Sequence, residues 1–220
     1  MLVTVRFTKT GNGTFVAHTD ILRALNRTFR RAQITVNYSA GFNKHMCLNL
    51  TQPLPLGIAS EGEYVTADIV DEMTAETFLK KFNDCCPPFL HGEKAYVTAQ
   101  KPALASVVTA SRFFFRSPDA FAVKDKILAC KNEYTIRYVH GGKEKTVEAA
   151  PLIYELSVSE EGIEALIASG NVNLRSDALG KNWNDDFGLF IELSDIVRKE
   201  QYVPTSSGFI SATEYLEKMP

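Results

Sequence analysis

Two segments at the start of the chain restrict what it can fold into. Leu2 to Lys9 alternates, with Val3, Val5 and Phe7 on one side and Leu2, Thr4, Arg6 and Thr8 on the other, the period-two pattern of a half-buried strand. From about Thr19 to Ala32, the residues Ile21, Leu22, Leu25, Phe29 and Ala32 gather on one side of a helical wheel. Thr10-Gly11-Asn12-Gly13 supplies the turn between them. A strand with one apolar face and a helix with one apolar stripe hide both when the helix lies on a sheet, so the chain is predicted to be α+β.

Further along, Thr35 to Tyr38 is extended and Gly41-Phe42-Asn43 breaks it. Met46 to Leu50 and Gly62 to Val70 read as strands, Thr74 to Asn83 as a helix ended by Pro87-Pro88, and Ala95 to Ala99 as a strand. That order, β-α-β-β-α-β, predicts a ferredoxin-like unit over residues 1–100 with its helices on one face. Lys101 to Ser106 reads as a linker or crossover. A second small α+β unit over residues 101–220 follows, a tandem arrangement if it is a diverged copy, although no internal repeat is visible. Its predicted parts are a strand at Ser111 to Arg116, a helix at Asp119 to Cys130, and a hairpin about Gly141-Gly142. Leu152 to Val158 is a strand, Gly162 to Gly170 fits a helix or a strand, Ser176 to Trp183 a helix, and Leu189 to Leu193 a strand. Phe209 and Tyr215 are placed to dock the tail.

Composition narrows the function classes. Apolar content of 45% and charge of 23% fit a folded globular chain, and no apolar run approaches the ~18–20 residues that span a bilayer. The first residues lack the charged leader and apolar core of a signal peptide, and Cys47, Cys85, Cys86 and Cys130 have no paired spacing, so we expect reduced thiols in a cytoplasmic protein. The net charge of −2 conceals an asymmetry: residues 1–50 hold seven Lys and Arg against one acid, Asp20, for +6, while the remainder holds 17 against 25, for −8. That split favours an anionic ligand on the N-terminal part, or attraction between the halves. No HxxxH, CxxC, Walker loop, GxGxxG or CxxxCxxC occurs, so the sequence predicts neither a metal nor a cofactor.

The candidate site residues concentrate between His18 and Tyr64. Arg23, Arg27 and Arg30 line the polar side of the helix at i, i+4 and i+7, with Arg31 beside them. This is a row of guanidinium groups suited to phosphate or carboxylate oxygens, and also the look of a solvated outer face. Asp20 suits the first turn and is placed to pair with Arg23 or Arg27. The loop Tyr38-Ser39-Ala40-Gly41-Phe42-Asn43-Lys44-His45 offers aromatic rings to stack, a lysine for phosphate, and Ser39, Gly41, Asn43 and His45 for polar contact. His18 and His45, at element ends, are the candidates for acid–base work.

These motifs carry a resemblance. His18-Thr19-Asp20, Arg30-Arg31-Ala32, Tyr38-Ser39, Gly41-Phe42-Asn43, His45, Pro53-Leu54-Pro55-Leu56-Gly57 and Ser60-Glu61-Gly62-Glu63-Tyr64 resemble the radical-SAM-linked bacterial family of unknown function. The usual forms there are H-L-D, Y-S-x-G-F-N-P-H-P, P-L-P-L-G and S-E-x-E-Y; here Thr19 replaces the leucine, and Lys44 and Met46 replace the prolines around His45. The likeness is specific over about residues 1–70. It implies a cytoplasmic partner of a radical SAM enzyme, acting on RNA. At the level of fold alone the chain is also similar to the RAMP superfamily of CRISPR RNA-processing proteins. We therefore expect a non-catalytic RNA-binding or substrate-presenting accessory. The alternatives are a metal-independent RNA endonuclease or transferase using His18 and His45, or a module that docks on the radical SAM protein.

Overall fold

A computed structural model describes residues 1–220. The first half runs β1 (Leu2–Lys9), α1 (His18–Arg31), β2 (Leu48–Leu50), β3 (Ala59–Asp68), α2 (Ala75–Cys85) and β4 (Leu90–Thr98). A short helix, α3 (Leu104–Val107), lies in the predicted linker. The second half runs β5 (Ala110–Arg116), α4 (Lys124–Ala129), β6 (Thr135–His140), β7 (Lys143–Glu148), β8 (Ile153–Ser159), β9 (Gly162–Ala168), α5 (Ser176–Phe187) and β10 (Ile196–Thr205). Then β11 (Gly208–Ser211) and α6 (Ala212–Glu217) close the chain. The α+β class is as expected. No helix is long and apolar enough to cross a membrane.

All strands except the β6–β7 hairpin join one mixed sheet in the order β4-β1-β3-β10-β5-β9-β8, with β2 added on β3 and β11 on β10. Within the first half the spatial order is β4-β1-β3-β2, and within the second β10-β5-β9-β8, antiparallel throughout. The halves meet where β3 and β10 pair in parallel, through only Val197 with Ala59 and Arg198 with Ser60.

Side-chain alternation sorts the core. Val3, Val5 and Phe7 of β1 and Val65 and Ala67 of β3 pack under α1 and α2, where Phe29, Phe78 and Phe82 meet. A second core, around Phe113, Phe115, Ile163, Ile167 and Trp183, lies under α5 and the hairpin. Helices do not cover one face only: Tyr64, Tyr96, Leu104, Val203 and Leu216 form a third cluster on the other side of the first half, roofed by α3 and α6. Thr74 caps α2 by accepting from the Thr77 N–H at 3.2 Å, and the 3-10 turn Pro118–Val123 takes the front of the helix predicted from Asp119.

Of the two forms open to Gly162 to Gly170, the chain takes the strand, β9, over Gly162–Ala168, because it pairs on both edges, with β5 and β8. Leu189 to Leu193 is not a strand: the Asn184 side chain takes both backbone bonds of Ile191, donating to its O and accepting from its N–H at 2.8 Å each. The strand of that region is β10, which starts seven residues after Leu189 and is not predicted from the sequence. At the β8–β9 turn Gly162 has φ of 152°, and a Cβ there would stand 2.1 Å from the Phe115 carbonyl oxygen. Gly162→Ala is therefore expected to destabilise by about 1–3 kcal/mol through strain and overpacking, seen as a lowered thermal midpoint.

Candidate functional site

The α1 helix sets the geometry. Ile21, Leu25, Thr28 and Phe29 are buried, which turns Arg23, Arg27, Arg30 and Arg31 outward, all exposed. Asp20 pairs with Arg23 at 2.7 Å on the surface, a weak link in solvent. Arg27, Arg30 and Arg31 have no carboxylate partner.

The loop that follows is pinned beside the end of α1. Val36 bridges Ile69, Tyr38 bridges Met46, and the Arg30 guanidinium donates to the Tyr38 hydroxyl at 3.4 Å. Ser39 and His45 close the loop's neck: the Ser39 N–H donates to the His45 carbonyl at 2.8 Å, the His45 N–H to Ser39 Oγ at 3.1 Å, and Ser39 Oγ meets His45 Nδ1 at 2.9 Å. The closure holds without the two prolines. Beyond the neck Gly41 takes a φ of 113°, and Phe42, Asn43 and Lys44 stand in solvent, with the Phe42 ring fully exposed.

The Arg30–Tyr38 contact thus brings the neck of the loop, Ser39 and His45, to the C-terminal end of α1; Gly41, Phe42, Asn43 and Lys44 lie beyond the neck, and Arg27 about a turn before Arg30. Asp20 and Arg23 lie back along the helix, and His18 begins it. Fourteen helical residues span about 21 Å at 1.5 Å each, so His18 and His45 sit at opposite ends and do not face each other.

Around His18 the structure assembles residues that the sequence did not single out. Arg198 on β10, 1% exposed, donates from Nε to Glu63 Oε1 at 3.0 Å, from Nη2 to the same oxygen, and from Nη2 to the Gln52 carbonyl at 2.9 Å. Lys9, at the end of β1 and 4% exposed, lies near this pair without bonding to it. The Ser60–Tyr64 run proves to be a seam. Ser60 donates to the Arg198 carbonyl, Glu61 pairs with Lys199 at 2.5 Å, and the Gly62 carbonyl accepts from the Gln201 amide at 2.7 Å. Glu63 holds Arg198, and the Tyr64 hydroxyl donates to Glu200 at 2.6 Å. Each of these five residues bonds to β10. Of the buried pair, Glu63 belongs to a motif visible in the sequence; Arg198 is separated from it by 135 residues and gives no local signal.

Burial holds the His18 imidazole below its ordinary 6.5, with Arg198 and Lys9 adding to the effect and Glu63 opposing it. The unfolded chain takes up this proton near pH 6.5 and the folded protein only at lower pH. Between those values the unfolded state binds more protons, so stability falls as pH drops below 6.5. His18→Phe is expected to flatten that fall, read from urea midpoints between about pH 7 and pH 5.

Geometry alone defines a mixed α+β protein with an exposed basic face at one end of α1 and a buried charge cluster at the other. The chain belongs to the family described as an uncharacterized protein conserved in bacteria (DUF2344), whose model matches residues 3–176. The matched span ends at the first residue of α5, before Arg198. No curated protein matches the chain.

Proposed function

We propose that this protein binds single-stranded RNA on the face formed by α1 and the 38–46 loop, and presents it to a radical SAM enzyme. One observation carries the reading: Phe42 stands fully in solvent on the loop that Tyr38 ties to Arg30, and Arg27, Arg30, Arg31 and Lys44 are exposed with none of them paired with a carboxylate. An uncovered ring offers a base a stacking platform, and guanidinium groups along a helix track the phosphates. Tyr38, steadied by Arg30, supplies a second ring, with Asn43 and His45 in reach of base edges. The radical SAM partnership rests on the resemblance of residues 1–70 and is tested by co-purification of the two proteins. Nothing in the geometry favours His18 and His45 acting as one acid–base pair.

The test is fluorescence anisotropy with a short single-stranded oligoribonucleotide. Phe42→Ala is expected to weaken binding by about 1–3 kcal/mol, the stacking of one base. Arg27→Ala/Arg30→Ala is expected to reduce the salt slope by about 1.4, at ~0.7 per phosphate contact. Binding unchanged in both variants would refute this face. Absence of RNA binding, with tight association to the radical SAM protein, would turn the same face into a protein-docking surface.

A further inference from the structure

The opposite end of α1 carries a feature that the RNA-binding reading does not use. A dent of about 10 Å³ opens among Phe7, Lys9, His18, Ile21, Leu54 and Glu63, which is space for about one water-sized group. Lys9 lines it, almost wholly buried, and has neither a hydrogen bond nor an ion pair. The carboxylate near it, Glu63, is already held by two Arg198 N–H groups. With His18 neutral, the charges of Lys9, Arg198 and Glu63 sum to +1 in a buried place.

No carboxylate or carbonyl of the protein holds the Lys9 ammonium, so an anion seated in the dent would meet a charge whose only other partner is solvent. The start of the helix borders the dent, which Val16, His18 and Ile21 line. Ala17, at the N-cap of α1, offers no capping side chain, and the N–H groups of His18 and Thr19 have no acceptor. These free N–H groups sit at the positive end of the helix dipole. A lysine, a neutral imidazole and an uncapped helical turn, with the one nearby carboxylate neutralised, make a set of donors in search of oxygen.

We infer that the dent is an oxyanion site that seats one oxygen of a phosphate group against Lys9, His18 and the first turn of α1. The remaining oxygens lie at its mouth, where free phosphate and the phosphate of a monoester present the same chemistry. Because this place is a helix length away from Phe42, it stands or falls apart from the RNA face.

The experiment follows thermal unfolding of the full chain at neutral pH in rising sodium phosphate, with ionic strength held constant by sodium chloride. The wild-type midpoint is expected to rise with phosphate as a ligand of the folded state. Lys9→Met, which replaces the unpaired charge by an apolar chain of similar length, is expected to melt no lower than wild type without phosphate. It should lose at least about tenfold in apparent phosphate affinity. Lys9→Gln is the second variant should the methionine not fold, with the same loss expected. A wild-type midpoint indifferent to phosphate, or variants that respond as wild type does, overturns the site. Two further arms give the source. Stronger Lys9-dependent binding of a 5′-phosphorylated than a 5′-hydroxyl oligoribonucleotide assigns the site to an RNA end. A Lys9-dependent response to inorganic phosphate alone assigns it to a small phosphate.

Discussion

Glu63→Ala is expected to lower the stability of this protein by about 3–5 kcal/mol, enough to unfold a chain of ordinary stability. Arg198 is 1% exposed, and its backbone is fixed between β3 and β5, so the guanidinium has no short way out to solvent when its partner is removed. Removing the carboxylate leaves the guanidinium with the Gln52 carbonyl as its only acceptor. The damage spreads because the backbone ladder between the halves is two residue pairs long, so side chains from Ser60 to Tyr64 carry the joint. Glu63→Gln keeps an acceptor oxygen and is expected to do less harm. Glu63→Leu/Arg198→Met, which removes both charges, is expected to recover much of the loss. Urea midpoints of the four proteins check this series; a loss below about 1 kcal/mol for Glu63→Ala would show that the seam does not hold the halves together.

Trp183→Ala ranks beside it. Trp183 is fully buried, meets Phe115 edge to face at 5.0 Å, and sits among the residues of the second core. Truncating it leaves a cavity bounded by strands on one side and the hairpin on the other, with little freedom to collapse. The expected loss is about 3–5 kcal/mol, or roughly 10 °C in Tm at 2–4 °C per kcal/mol for a chain of this size. Calorimetry checks it. The two substitutions differ in kind, since one breaks the joint between halves and the other hollows a single half.

How far the sequence went depends on whether the information was local. The α1 stripe is local: a period of 3.6 separates Ile21, Leu25 and Phe29 from Arg23, Arg27 and Arg30, and the structure keeps that separation. The Gly41-Phe42-Asn43 loop was legible for the same reason, and so was the β6–β7 turn, where Gly141 and Gly142 take φ of 60° and 75°. β10 was not. It carries Arg198, Lys199, Glu200 and Gln201 in succession, and its burial of an arginine and a glutamine runs against the rule that charged side chains stay outside. Those residues are buried because partners on β3 await them, and no local window contains both strands. The Ser60–Tyr64 run stands out in the sequence, yet its bonding partners on β10 appear only in three dimensions. Leu189 to Leu193 erred the other way, apolar enough for a strand but with its Ile191 backbone bonded to Asn184, and with Phe190 and Leu193 left exposed.

The proposed RNA face is tested by the affinity of the purified wild-type chain for single-stranded RNA across a salt series. Binding is expected to weaken with salt, with a log–log slope of about −2 to −3 for three or four phosphate contacts at ~0.7 each. Affinity that does not change with salt, or no affinity at the lowest salt, would contradict it.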